Sequence, residues 1–503
     1  TGYRPAMTET AAPGSATTPA TPPTHAAPSA RPKRRGRLLR RILLGVLALV
    51  VILLVGGYQY AKPLLLTGTG YAAHNACAVT QVARRSNPST DLPPNPLVPF
   101  LRERGVAEQS TVVGSSVLGV LATQEARHTP GFGCTLGGTA PTLGTPTTVT
   151  ASANPYAAVI DPAEATATIA PNAARVAATP AIKAALDAAF DDERASTSGG
   201  PSATTQPKLG TRAVVAIRDG QVIAERYAPG FSPTTPQLGW SMAKSVTNLL
   251  IGRLVQQGKL AVTDAKLRPE WTDERAKITV DQLMRMTSGL AWDETYDLGT
   301  PITAMLYLEP DMGTFVAKQP LAHPVGSYQQ YSSGSTNVLC SVATARAGVT
   351  ADLPRQQLFA PLGLSSAVWE PDGVGTPVCS SYLWATPRDW AAIGQFALQD
   401  GQWGGQQLLP AGWMATSTTA QKVTTTEDPG YAAGWWANRL PDGSLVEPLL
   451  PADTYWASGH DGQRLYVVPS EKLVVVRLGF SPKVSAKDLK TTDLVAALIT
   501  ATR

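Results

Sequence analysis

From Ile42 to Gly57 the chain is almost pure Leu, Val, Ile, Ala and Gly and carries no charge. No aqueous domain can wrap such a run as a surface helix, so it divides the protein before any other feature is considered. Together with Leu38, Leu39 and the Tyr58–Tyr60 flank it just spans the hydrocarbon core of a bilayer. Arg31, Lys33, Arg34, Arg35, Arg37, Arg40 and Arg41 precede it, and only Lys62 follows closely. That asymmetry predicts a single-pass helix over residues 38–60, with the N-terminus inside and the body in the periplasm. No small-x-small cleavage pattern lies before Lys62-Pro63, which favours an uncleaved anchor over a signal peptide. The net charge of +5 belongs to this basic cluster, and without it the chain is roughly neutral. The expected partner is therefore a membrane and not a nucleic acid. Residues 1–37 read as a disordered basic cytoplasmic tail.

Behind the anchor, residues 61–155 form an extracytoplasmic segment and linker, and residues 156–503 a larger domain. Charged residues are only 16% of the chain, with Ala, Thr, Pro and Gly in their place, which suggests long irregular stretches. Four cysteines, Cys77, Cys134, Cys340 and Cys379, fall outside the cytoplasm. Chain order favours the pairs Cys77–Cys134 and Cys340–Cys379, while four buried thiols are the rival reading. Ile182–Arg194 has the spacing of an amphipathic helix, and residues 196–210 form a polar insertion. Thr211–Ile217 and Gln221–Tyr227 flank Arg218-Asp219-Gly220, a hairpin signal. Helices are expected over 241–257, 280–286, 336–347 and 388–399. Strands over 464–468 and 472–478 then lead to a helix over 486–500. A domain that opens helix–strand–strand and closes strand–strand–helix predicts an α+β fold. An antiparallel sheet is flanked by the terminal helices, beside a mostly helical lobe.

The chemistry-bearing spacing is Ser241-Met242-Ala243-Lys244. On the first turn of a helix it puts a hydroxyl and an amine on one face, while the free backbone N–H of Ser241 and the helix dipole favour developing negative charge. A serine can thus be activated without a His-Asp pair. Tyr331 supplies a phenol whose pKa a neighbouring ammonium would depress toward that of a usable base, and Ser333 faces the same cleft. His460-Asp461-Gly462 precedes an apolar strand and suits an edge strand lining that cleft. Trp292–Tyr296 and Gly434-Trp435-Trp436 are aromatic segments suited to pocket walls. His25, His74, His128 and His323 show no ligand spacing, so neither a metal nor another cofactor is expected.

In that order, Ser-x-x-Lys, Tyr-x-Ser and His-x-Gly resemble the serine β-lactamase and penicillin-binding-protein superfamily, in its class C-related esterase and aminohexanoate-dimer hydrolase branch. Thr287-Ser288-Gly289-Leu290 and Thr386-Pro387-Arg388-Asp389-Trp390 also resemble family blocks. The resemblance implies a β-lactamase/transpeptidase-like fold over 156–503. It implies Ser241 as acylated nucleophile, Lys244 as its proton partner and Tyr331 as general acid or base. It further implies an oxyanion hole from the Ser241 and Gln463 N–H groups, and a substrate-facing set of Ser333, His460, Gly462 and Tyr296. Two departures stand out. Ser333 replaces a usual asparagine, and His460 replaces a lysine that would bind a β-lactam or stem-peptide carboxylate. Both point to a small-molecule ester or small amide as substrate. The alternatives are a penicillin-binding-type ligand sensor, a D-Ala peptidase or β-lactamase, and an envelope protein whose function resides in residues 61–135. The oligomeric state stays open.

Overall fold

The computed structural model describes residues 34–92, 95–105, 111–137, 141–157, 179–190, 209–482, 484–485 and 487–503. The tail expected over residues 1–37 lies outside them up to residue 33, and its last four residues are helical. The polar insertion expected over 196–210 lies outside them up to residue 208. Two compact units divide the chain, the first ending at Tyr60 and the second running Ala61–Arg503. The helix Arg34–Cys77 carries the apolar run, whose Leu, Ile and Val side chains from Leu38 to Val55 are exposed. By length and composition it is the one helix among the described residues able to cross a membrane.

Within the second unit, a six-stranded antiparallel sheet has the order Trp436–Ala437, Tyr455–Gly459, Gln463–Val468, Leu473–Gly479, Thr211–Arg218, Gln221–Tyr227. The C-terminal strand Leu473–Gly479 pairs with the first strand Thr211–Arg218, which closes the two ends of the domain on each other. Period-two alternation explains both faces. Ala213, Val215, Ile217, Val474 and Val476 enter the main core with the helices of the middle block. Val214, Ala216 and Val475 face the terminal helices Pro180–Ala189 and Thr491–Ala501. The predicted α+β layering is therefore present. The hairpin is as read, with Asp219 and Gly220 both at positive φ. The last helix starts at Thr491 and not at 486. The strand after His460-Asp461-Gly462 lies inside the sheet, which corrects the expected edge strand.

Residues 61–155 pack on the rest of the second unit. Leu101–Arg104, Val112–Val117, Leu121–Thr129 and Gly133–Leu136 form their own antiparallel sheet. A disulfide joins Cys77 to Cys134, and a second joins Cys340 to Cys379. The buried Glu370 carboxylate accepts the Cys134 N–H at 2.7 Å and sits 3.1 Å from His74 Nε2. Asp91 accepts both ends of the Arg212 guanidinium, at 2.9 and 2.6 Å, and also Arg85 at 2.5 Å. Asp91→Ala leaves Arg212 largely desolvated without its carboxylate. It should cost about 3 kcal/mol of stability, read as a lower thermal midpoint. An unchanged midpoint would show that the segment contributes no stability through this pair.

Candidate active site

The helix Met242–Gln256 is buried over most of its circumference, so its polar residues must find partners inside the protein. Ser245 Oγ donates to the Gly434 carbonyl at 2.6 Å and Thr247 Oγ1 to the Cys379 carbonyl at 3.1 Å. Asn248 donates to Ser417 Oγ and accepts from Trp413 Nε1. These bonds fix the rotation of the helix and so the direction in which its first turn points. Ser241 stands at the N-cap position of that turn, with no side-chain capping bond. Trp240 before it has φ of +49°, a conformation that a bulky side chain adopts only under constraint. The constraint is aromatic: Trp240 packs on Tyr71, Tyr382 and His460. No backbone acceptor takes the Ser241 N–H among the described residues.

Lys244 Nζ, 2% exposed as a residue, has three partners: Ser241 Oγ at 2.9 Å, Ser333 Oγ at 2.9 Å and the Ser380 carbonyl at 3.2 Å. Burial lowers its pKa to about 8, while Glu294 opposes the shift. The partner types matter. Ser380 O can only accept, and Ser333 Oγ donates to Glu294 Oε1 at 2.5 Å, so it too accepts from the lysine. A neutral amine has two N–H groups for these acceptors, which leaves its lone pair for the Ser241 hydroxyl.

Glu294 also accepts the Ser333 N–H at 2.8 Å and Trp292 Nε1 at 2.6 Å. Sequence reading missed its role although Trp292–Tyr296 was singled out, because an acid between Asp293 and Thr295 carries no spacing signal of its own. Ser333 itself is fully buried and links Lys244 to Glu294. Asn337 exchanges hydrogen bonds with Ser380, and the Cys340–Cys379 bridge ties the same two segments. Together they hold the Ser380 carbonyl in place.

Tyr331 comes close, with Lys244 Nζ 4.7 Å from its ring centroid. Its pKa, however, is raised and not depressed, first by burial and then by Glu294, against a side-chain hydrogen bond with Ser241. The ammonium lies over the ring face, and desolvation of the phenolate outweighs it. Trp436 stacks on Tyr331 at 6.0 Å, whereas Trp435 is a core residue bonded to Asn248.

Tyr296 and His460 stack at 4.8 Å and border a cavity of about 460 Å³ beside Trp240. Gly462 lines it too. Its φ of +88°, and the Arg477 guanidinium where a side chain would begin, require glycine there. Gln463 turns its side chain into the sheet, bonding Gly479 through both amide atoms. Arg464 also lines the cavity. It supplies a permanent cation next to His460 that sequence reading did not find.

A buried serine–lysine pair at a helix start on this α+β frame is consistent with a hydrolase of the serine acyl-enzyme type. Residues 186–498 match the Beta-lactamase family, and the chain belongs to it. A 6-aminohexanoate-dimer hydrolase from Paenarthrobacter ureafaciens is 22% identical over 303 residues, 54% of this chain and 73% of that protein. Two solved structures are similar at low identity. One is a novel penicillin-binding protein homolog from Caulobacter crescentus (18% identity, TM-score 0.49, 65% of this chain and 100% of that one). The other is a family VIII carboxylesterase (14% identity, TM-score 0.49, 65% and 99%).

Proposed function

We propose that this protein is a membrane-anchored serine hydrolase that cleaves ester or small amide bonds, with Ser241, Lys244 and Tyr331 as its catalytic residues. The observation that carries the reading is the 2.9 Å contact from Lys244 Nζ to Ser241 Oγ, on a lysine whose other two partners can only receive its protons. In acylation, Ser241 Oγ attacks the carbonyl carbon and its proton passes to Lys244. The departing group takes the Tyr331 proton, and the phenolate forms beside the new ammonium. In deacylation, water attacks the acyl carbon and gives a proton to Tyr331, while Ser241 leaves with the proton held by Lys244. The Ser241 N–H, with that of Gln463, stabilises the oxyanion. Tyr296 and His460 flank the bound substrate.

The test is a panel of chromogenic esters, short oligoamides, D-amino-acid amides and a cephalosporin. Esters and small amides should turn over faster than the cephalosporin. Preferential cephalosporin hydrolysis would replace this reading with the β-lactamase alternative.

The basic residues ahead of the apolar helix support this placement in the membrane. Protease added to cells with a permeable outer barrier should digest residues 61–503 and spare the tail. Protection of the whole chain would reverse the orientation.

A further inference from the structure

The cavity beside Trp240 is not built by the family domain alone. The family match begins at residue 186, yet Thr67, Gly68, Tyr71, Asn95 and Pro96 line the cavity. Trp240, Tyr296 and His460 line it with them. We propose that the segment ahead of the family domain, through Tyr71, Asn95 and Pro96, forms a specificity wall. That wall receives the apolar arm of the substrate beyond the scissile bond and sets how long an arm is accepted. The proposal rests on the hydrolase reading above.

Three observations support it. First, the wall is fixed. Tyr71 stacks on Tyr307 at 5.1 Å and meets Trp240 edge-on at 6.2 Å. Gln124 of the same segment donates to the Tyr307 carbonyl at 2.9 Å. The Cys77–Cys134 bridge and the Asp91–Arg212 pair pin the stretch that runs between Tyr71 and Asn95. Second, Tyr71, Trp240, Tyr296 and Tyr307, with Leu298 and Leu489, give the lining an aromatic and aliphatic face. Its cationic groups are engaged locally, while the carboxylates of Asp297 and Asp461 belong to the same lining. His460 Nε2 sits 3.4 Å from Asp461, and Arg464 donates to the Gly459 and Gln463 carbonyls. An uncharged alkyl or aryl arm is the chemistry such a surface receives. Third, the cavity borders Trp240, the chain neighbour of Ser241, and Tyr296, which stacks on His460.

The experiment uses the full chain in detergent and a series of alkyl fluorophosphonates from methyl to dodecyl, read as second-order rate constants for labelling Ser241. Pro96 is exposed, so Pro96→Trp should fold while narrowing the cavity. It should lower the ratio of octyl to methyl rate constants at least about tenfold, the scale at which hydrophobic pockets discriminate chain length. Tyr71→Ala should move the preferred chain length upward, and Tyr71→Phe should keep the parent profile. A chain-length profile that Pro96→Trp leaves unmoved, or scales by one factor throughout, overturns the wall. A second arm separates this from failure of the hydrolase reading. In a Ser241→Ala background, a dansyl-labelled octyl amide should bind and Pro96→Trp should weaken it at least about tenfold. If the parent is never labelled, the hydrolase reading falls. The binding arm still decides the wall, and absent or unaffected binding there overturns it.

Discussion

Ser241→Ala should abolish covalent labelling by a fluorophosphonate and leave the fold intact, because among the described residues the serine is the one hydrogen-bond partner of the buried lysine with a proton to give it. The other two acceptors of Lys244 are a carbonyl and a hydroxyl that already donates to Glu294. Lys244→Ala should slow labelling itself by about 10²–10⁴-fold, the usual worth of a positioned base. The pH dependence gives an independent check with a definite sign. Only the neutral amine can accept the serine proton, and burial has moved its pKa down to about 8. Labelling should therefore rise as pH climbs through about 8 and level off above it. An ordinary lysine would place that rise about two units higher. A profile flat from pH 6 to 10, or an adduct found on another serine by mass spectrometry, would remove Lys244 and Ser241 from these roles.

The parts of this arrangement differ in how far residue order reveals them. The strands around Asp219-Gly220 and Pro469 were legible because alternate residues must enter two different cores, and turn residues mark where the chain reverses. Ser241 and Lys244 were legible because helix geometry alone brings positions three apart together. What failed depended on burial or on distant segments. Ser380 acts through its carbonyl, which every residue possesses, so no residue type announces it. Glu294 and Ser333 meet from segments 39 positions apart, and either side chain alone reads as an ordinary polar residue. The wall from Tyr71 to Pro96 depends on the Asp91–Arg212 and Cys77–Cys134 links across the chain. For Tyr331 the neighbours were named correctly and the sign of the shift was not. The outcome is a contest between an ammonium and desolvation, and only the structure shows how deeply the phenol is buried.

That reversal changes what Tyr331 should do. A phenol with a raised pKa is a poor resting base and a secure proton donor, so its first task falls on the leaving group, and it accepts a proton only once Lys244 is charged beside it. Tyr331→Phe keeps the ring on Trp436 and over the ammonium, so the domain should fold normally. Turnover should fall by about 10²–10⁴-fold. The loss should be largest for alkyl esters and amides, whose leaving groups need a proton. It should be smallest for nitrophenyl esters, whose leaving groups depart as anions. His460→Lys touches neither proton path and should cost ester turnover less than Tyr331→Phe, while its added cation beside Arg464 should tighten carboxylate-bearing substrates. Steady-state kinetics on one alkyl ester, one nitrophenyl ester and one β-lactam decide between these roles. If Tyr331→Phe hydrolyses the alkyl ester as fast as the parent, Tyr331 is no proton donor. Equal losses on the two esters would instead place its role in the deacylating water.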